Sequence, residues 1–400
     1  MTSGPGTGER SRGRSGADHQ GQRDLNALVD DGHVVICCGS GGVGKTTSAA
    51  VLALEGARRG RNAVVVTIDP AKRLANALGL EALSNTAHEI EPERWDPEGR
   101  SPGGRLSALM LDTKSTFDGL VQRYAADGDQ AGGILENRFY RNISSALGGT
   151  QEYMAMEKLH ELHEEGGFDL IVVDTPPTRH ALDFLDAPKR ITNLLDNRIF
   201  RVLMTPTKAG MRVAGVALQT FLRTIGRVVG TAVIDDVVGF FRAFEGMEDG
   251  FRERAATVLA LLADPGTRFV LVTAPQRDAV DEAVFFADQI ADHGLSVDAL
   301  IVNRVHPQFG DEHAAGLRAR AEHLLGGSRD GEAKAAAVRL ATQYENLADF
   351  QEISLREHIH LDAVRSRIGT ASIATVPFLA HDVHDFTALT EIGEHLFSPP

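Results

Sequence analysis

The sequence predicts an α/β fold, a doubly wound and mostly parallel sheet carrying an inserted helical subdomain, and three observations lead there. Short continuous apolar runs, of the kind buried on both faces of a parallel sheet, recur at 34–38, 63–68, 106–111, 168–174, 269–273, 299–303 and 371–376, with helical segments between them. The first run, Val34 to Cys38, empties into a glycine turn spaced G-x-x-x-x-G-K-[ST], and an alanine-rich helical segment follows from Ser48 to Arg59. Between 188 and 253 the strand runs stop and amphipathic helical patterns replace them.

Each element has a physical reason. In the turn after the first strand, Gly39, Gly41, Gly42 and Gly44 carry no Cβ, so the backbone can take left-handed dihedrals and turn successive N–H groups towards a polyphosphate. Ser40 and Val43 complete the loop. The next helix adds its unpaired N-terminal donors, Lys45 a point charge for the β- and γ-phosphates, and Thr46 and Thr47 hydroxyls, of which Thr46 suits Mg²⁺. Nucleotide binding follows from this loop, with ATP and Mg²⁺ as the expected ligands.

The run at 63–68 ends in Asp69, Pro70 and Ala71 and leads to a helical stretch through Leu83. An acid there sits either at the ligand rim of a parallel sheet or at the cap of the next helix, and position alone does not choose. Residues 91–105, with Trp95, read as a loop; 116–126 and 152–165 read as helices, the second with Met154, Leu159 and Leu162 inward and His160 and His163 in solvent. The strand ending at Asp174 is followed by Thr175, Pro176, Pro177 and Thr178, and a strand-end acid beside such a loop holds Mg²⁺ directly or through water.

The pattern from 188 to 253 places Ala214, Ala217, Phe221, Ile225 and Val228 on one face and Val233, Val237, Phe241 and Phe244 on another. Glycines and Met204, Met211 and Met247 punctuate it. This is either an adaptable apolar surface for varied partners or a helical subdomain packed against itself. Residues 278–293 form a crossover helix, 311–368 two or three surface helices, and the last strand closes on Pro377 and Phe378. His381, Asp382, His384 and Asp385 lack a ligand frame and read as surface. The resulting division is a disordered tail at 1–30, a core at 31–189, a helical insertion at 190–260 and the rest of the core at 261–400.

The totals set limits. Forty-two per cent hydrophobic residues in 400 supply a sizeable core. A net charge of -14 argues against a nucleic-acid backbone as partner. The two cysteines, Cys37 and Cys38, are neighbours on one strand and point to opposite faces, so they pair neither with each other nor on a shared metal. With no hydrophobic run long enough to span a bilayer and no signal-peptide core, the expected location is the cytoplasm.

Four motifs, Gly-Gly-Val-Gly-Lys-Thr-Thr at 41–47, Ile-Asp-Pro-Ala at 68–71, Val-Asp-Thr-Pro-Pro-Thr-Arg-His at 173–180, and Val-Asn-Arg at 302–304 with Val-Pro-Phe at 376–378, together resemble the ArsA/Get-type ATPases over residues 32–397. These include the arsenite-pump ATPase and the factor that targets tail-anchored membrane proteins, and the likeness is greatest to the bacterial ArsA-like members. The resemblance implies a P-loop NTPase fold of the deviant Walker A type, dimeric, with Asp69 orienting or activating the attacking water. It implies Asp174 as the acid that responds to the γ-phosphate, and Asn303, Pro377 and Phe378 at the adenine. It also places the client groove at 190–253.

Two departures from the family pattern matter. Where the family carries a lysine that reaches the partner's nucleotide, this chain has Ser40. Either another Lys or Arg substitutes, or the working unit is a heterodimer with a lysine-bearing ATPase subunit; the heterodimer is the expectation here, and a homodimer is disfavoured. The family's metal-binding cysteines are absent too, which speaks against metalloid efflux and zinc-bridged dimers. The expected function is Mg²⁺-dependent ATP hydrolysis coupled to a dimer conformational change that handles a hydrophobic or membrane-protein client. The rival readings are a nucleotide-binding regulatory subunit with little turnover, a metalloid-efflux ATPase, and a partition-type spatial organiser that the acidic charge disfavours.

Overall fold

The computed structural model describes residues 25–69, 72–101, 103–143, 150–165, 167–176, 183–196, 236–237, 239–240, 243–327 and 330–397. Eight strands form one sheet: β1 (Val34–Cys38), β2 (Asn62–Thr67), β3 (His88–Ile90), β4 (Arg105–Met110), β5 (Leu170–Asp174), β6 (Thr267–Thr273), β7 (Ala299–Val305) and β8 (Ser372–Pro377). Their order across the sheet is β3-β4-β2-β5-β1-β6-β7-β8, all neighbours parallel except the β3–β4 edge pair. That edge strand is not apparent in the sequence, because His88 and Glu89 are exposed and only Ile90 carries an apolar signal.

The sheet is buried on both sides. One face (Val34, Ile36, Cys38, Val64, Val66, Ile171, Val173) packs under α5 (Thr113–Tyr124), α8 (Thr150–Glu165), α10 (Glu248–Leu262) and α11 (Arg277–Asp292). The other (Val35, Cys37, Ala63, Val65, Val172, Val270) packs under α1 (25–31), α2 (Lys45–Arg58) and α14 (Phe386–Phe397). This is the doubly wound parallel fold, and it puts the two cysteines on opposite faces. Helix α2 comes close enough to β5 that a Cβ at Gly56 would lie 2.4 Å from Leu170 Cδ2, which is why a small residue sits there.

The shorter helices are α3 (Arg73–Ala77), α4 (Pro92–Trp95), α6 (Gly128–Leu135), α7 (Arg138–Ile143) and α9 (Asp183–Asp196), and the surface pair is α12 (Ala314–Gly326) and α13 (Glu332–Arg365).

Three expectations need correction. The tail does not run to residue 30, because α1 buries Leu25, Leu28 and Val29 in the core. Residues 91–105 are not all loop: Pro92 starts the one-turn α4, and buried Trp95 donates through Nε1 to the Ile90 carbonyl. His160 is buried rather than solvated, and burial, with Arg254 nearby, holds its pKa below the ordinary value.

In the helical insertion, Phe240, Phe244, Met247 and Phe251 are buried and join an aromatic cluster with Phe117, Tyr124 and Tyr140. That part packs against the core. Phe241 and the apolar faces built from Ala214 to Val233 lie outside the described residues.

Candidate nucleotide site

The candidate site lies at the carboxyl ends of the central strands, where open α/β sheets bind ligands. β1 continues into the glycine loop. Gly39 (φ 152°) passes so close to β6 that a Cβ would lie 2.1 Å from the Val272 carbonyl oxygen, and Gly42 (φ 79°) and Gly44 (φ 101°) are left-handed. Gly44 is also the N-cap of α2, so the loop's turn and the helix's free N–H groups face one space.

Lys45 is 5% exposed and donates from Nζ to the Ser40 carbonyl at 2.7 Å, folded back over its own loop. Burial holds its pKa below the usual value, against the pull of Asp174. The register of β2, β5 and β1 sets Thr67 and Cys37 on either side of Asp174. Thr46 and Thr67 both donate from Oγ1 to Asp174 Oδ2, at 2.8 and 2.9 Å, and Thr175 donates to the Cys37 carbonyl.

Asp174 Oδ1 is buried without a hydrogen-bond partner among the described residues. Burial pushes the Asp174 pKa up to about 6, despite the two threonine hydroxyls and Lys45. An orphaned buried carboxylate oxygen beside a threonine hydroxyl is a hard-oxygen donor set of the kind Mg²⁺ takes, and a bound cation would supply the countercharge the pocket lacks. The residues present fit the metal.

Asp69, 8% exposed, lies two residues beyond the end of β2; its N–H donates to Thr67 Oγ1, which links it to Asp174 through one hydroxyl. Lys72, not Asp69, is the N-cap of α3, so the capping alternative for Asp69 fails. Its Oδ2 lies 3.2 Å from Arg73 Nη1.

The far end of the site comes from β7 and β8. A bulge between Val302 and Val305 places Asn303 and Arg304 outside the ladder, with Arg304 in the left-handed region at φ 61°. Asn303 Nδ2 then donates to the Val43 carbonyl at 2.8 Å, close enough to Gly44 that a Cβ there would meet it at 2.2 Å. Arg304 Nη1 donates to the Gly42 carbonyl at 3.1 Å. A 520 Å³ cavity lined by Gly44, Thr47, Asn303, Arg304, Pro377 and Phe378 adjoins a 340 Å³ one lined by Gly42, Lys45, Thr46, Arg73 and Arg304. The first offers aromatic and amide surface, the second hydroxyls, glycine backbone and positive charge; adjoining, they have the polarity of a nucleoside and its phosphates. A cavity of 660 Å³ between α4 and α14 is larger, but it holds no comparable donor set, so volume alone does not locate the chemistry.

A sequence profile of the anion-transporting ATPase family matches residues 32–324. The chain belongs to this family. The chain is 24% identical over 369 residues to the ATPase GET3 of Malassezia globosa, covering 91% of each chain. It is 23% identical over 271 residues to the ATPase GET3 of Paracoccidioides lutzii, covering 67% of this chain and 71% of the relative. It is 24% identical over 279 residues to the ATPase get3 of Aspergillus terreus, covering 68% and 74%. The ArsA/Get-type resemblance is borne out, and the protein is an ATP hydrolase with the P-loop α/β fold.

Of the expected site residues, Gly42, Gly44, Lys45, Thr46, Thr47, Asn303, Pro377 and Phe378 line the two cavities, and Ser40, Val43, Asp69 and Asp174 bond to residues that do. Pro177, Thr178, Arg179 and His180 of the third motif, and Pro70 and Ala71 of the second, lie outside the described residues. Sequence reasoning missed Thr67, Arg73 and Arg304. Arg73 stands four residues after Asp69 and Arg304 directly after Asn303, but neither spacing shows that the side chain turns into the cleft.

Proposed function

We propose that this ATPase hydrolyses Mg²⁺-bound ATP and couples the reaction to a conformational change in a dimer. The observation that carries the reading is the Thr46–Asp174–Thr67 cluster beside Lys45, with its one unpartnered carboxylate oxygen. Bound here, Mg²⁺ would supply positive charge to the phosphates. Thr46 and Asp174 would hold it, while the loop N–H groups and Lys45 hold the β- and γ-phosphates. Asp69 would orient a water and accept its proton as the water oxygen bonds to the γ-phosphorus and the bond to the β–γ bridging oxygen breaks. Asn303, Pro377 and Phe378 would bind the adenine.

The hydroxyl of Thr67, shared by the Asp69 N–H and Asp174, is the path by which a change at the phosphates would reach both strand ends. A hydrophobic or membrane-protein client rests on the ArsA/Get-type resemblance and the apolar pattern of 190–253, although the described part of that region is packed against the core. A lysine-bearing partner subunit rests on Ser40 alone.

The test is steady-state hydrolysis by the purified chain with Mg²⁺ and with excess chelator. Turnover that needs the metal and disappears in Lys45→Ala is expected; turnover indifferent to both would overturn the reading.

A further inference from the structure

The charge around the phosphate cavity does not balance without the arginines. Mg²⁺-bound ATP arrives as an anion, and the cation of the loop, Lys45, faces two carboxylates, Asp69 and Asp174. With Asp174 assigned to the metal, Lys45 and the loop N–H groups hold the phosphates against the repulsion of the Asp69 carboxylate. Two arginines also line the cavity, and they do so differently. Arg304 touches both cavities and is pinned by the Gly42 carbonyl, which puts it between the nucleoside and the phosphates. Arg73 lines only the phosphate cavity. It is close enough to Lys45 to contribute, after burial, to that residue's lowered pKa.

We infer that Arg73 is the cation that completes the terminal-phosphate site from within this chain, and that it does so by leaving Asp69. The two form an i,i+4 ion pair at 3.2 Å, with the arginine side chain 57% exposed and the carboxylate side chain 12% exposed. A pair this open to water is weak, whereas a guanidinium binds a phosphate through two parallel hydrogen bonds. ATP therefore draws Arg73 onto its γ-phosphate. The same exchange removes the guanidinium from Asp69 Oδ2, the oxygen that must then take the proton of the attacking water. Substrate arrival and unmasking of the base become one event, and ADP, which lacks the γ-phosphate, leaves the pair closed.

The inference rests on the ATPase reading above and makes a lysine from a partner subunit unnecessary. An arginine four residues after Asp69, on the first turn of α3, stands beside that acid and lines the phosphate cavity at once.

The experiment compares binding of Mg²⁺ with a slowly hydrolysed ATP analogue and with ADP, alongside turnover, in the parent chain and in Arg73→Ala, Arg73→Lys and Asp69→Asn. In Arg73→Ala the triphosphate is expected to bind about ten-fold more weakly with ADP little changed, and turnover to fall about 10²-fold. Arg73→Lys recovers part of the preference for triphosphate. Asp69→Asn binds the triphosphate more tightly than the parent while failing to hydrolyse it, because no ion pair has to open; a merely structural role for Arg73 would not produce that gain. Three results would overturn the inference: an Arg73→Ala chain with its triphosphate preference and turnover intact, equal loss of both nucleotides, or a parent chain that turns over only beside a lysine-bearing partner. A parent chain that binds neither nucleotide instead sinks the ATPase reading, and this is seen before any substitution is made.

Discussion

At the phosphate end of the cleft, Thr46, Thr67 and Asp174 are tied to one another, and Asp174 is 1% exposed; at the base end Phe378 leaves 57% of its surface in solvent, stacked on His306 with ring centroids 5.4 Å apart. The first end is made by neighbouring parallel strands whose register fixes every oxygen. The second is made by a bulge and a strand end, held to the loop by the Asn303 and Arg304 side chains. A buried end concentrates electrostatic work where it is least screened, and an open end can admit and release the ligand. On the proposed function, chemistry and exchange fall to different parts of one cleft.

Substitutions at the two ends should then differ in kind. The largest effect is expected for Lys45→Ala, whose buried charge has no neighbour of equal placement: turnover falls on the order of 10³-fold, measured as phosphate release at saturating ATP. Loss confined to KM would erase the contrast between the ends.

Asp174→Asn comes next, with about 10²-fold lower turnover and loss of Mg²⁺ dependence. The same substitution separates function from stability. Because folding raises the Asp174 pKa from 3.8 to about 6, the folded chain holds more protons than the unfolded one across that window, and stability falls as pH rises through it. At neutral pH the ionised carboxylate costs about 3 kcal/mol in the ligand-free chain. Asp174→Asn should therefore raise the thermal midpoint at pH 7.5, raise it by about half as much at pH 5 and change it little once the pH is below the unfolded value of 3.8, read by calorimetry, and the parent's turnover should decline as pH falls through about 6. A variant less stable at pH 7.5 than the parent would mean that the buried end is not strained by its own charge.

The smallest effect belongs to the open end. Phe378→Ala should raise KM for ATP several-fold with kcat nearly unchanged, since it removes stacking surface and no reacting group. An equal fall in kcat would show that the two ends are coupled.

Periodicity and spacing carried much of this molecule. Six of the seven apolar runs became central strands and the seventh the outer strand β8, because a chain buried on both faces of a sheet has to be apolar at every position. The glycine loop and the strand-end acids were readable for a similar reason: each sits at the end of such a run, where the chain leaves the sheet at the ligand rim. His160 was misread because two histidines at i, i+3 on a helix look alike in sequence, and only the packing of α8 under α10 buries one of them.

The sequence by itself determined the doubly wound sheet, the phosphate loop and the identity of the two acids, since local spacing and hydrophobic runs are properties of the chain alone. Only the tertiary structure decided that Thr67 bonds Asp174, that Asn303 and Arg304 reach the loop from a bulge, and that Arg73 holds Asp69 at the mouth of the phosphate cavity. Strand register, bulge position and side-chain direction are set by contacts between segments up to 262 residues apart, and no local pattern encodes them.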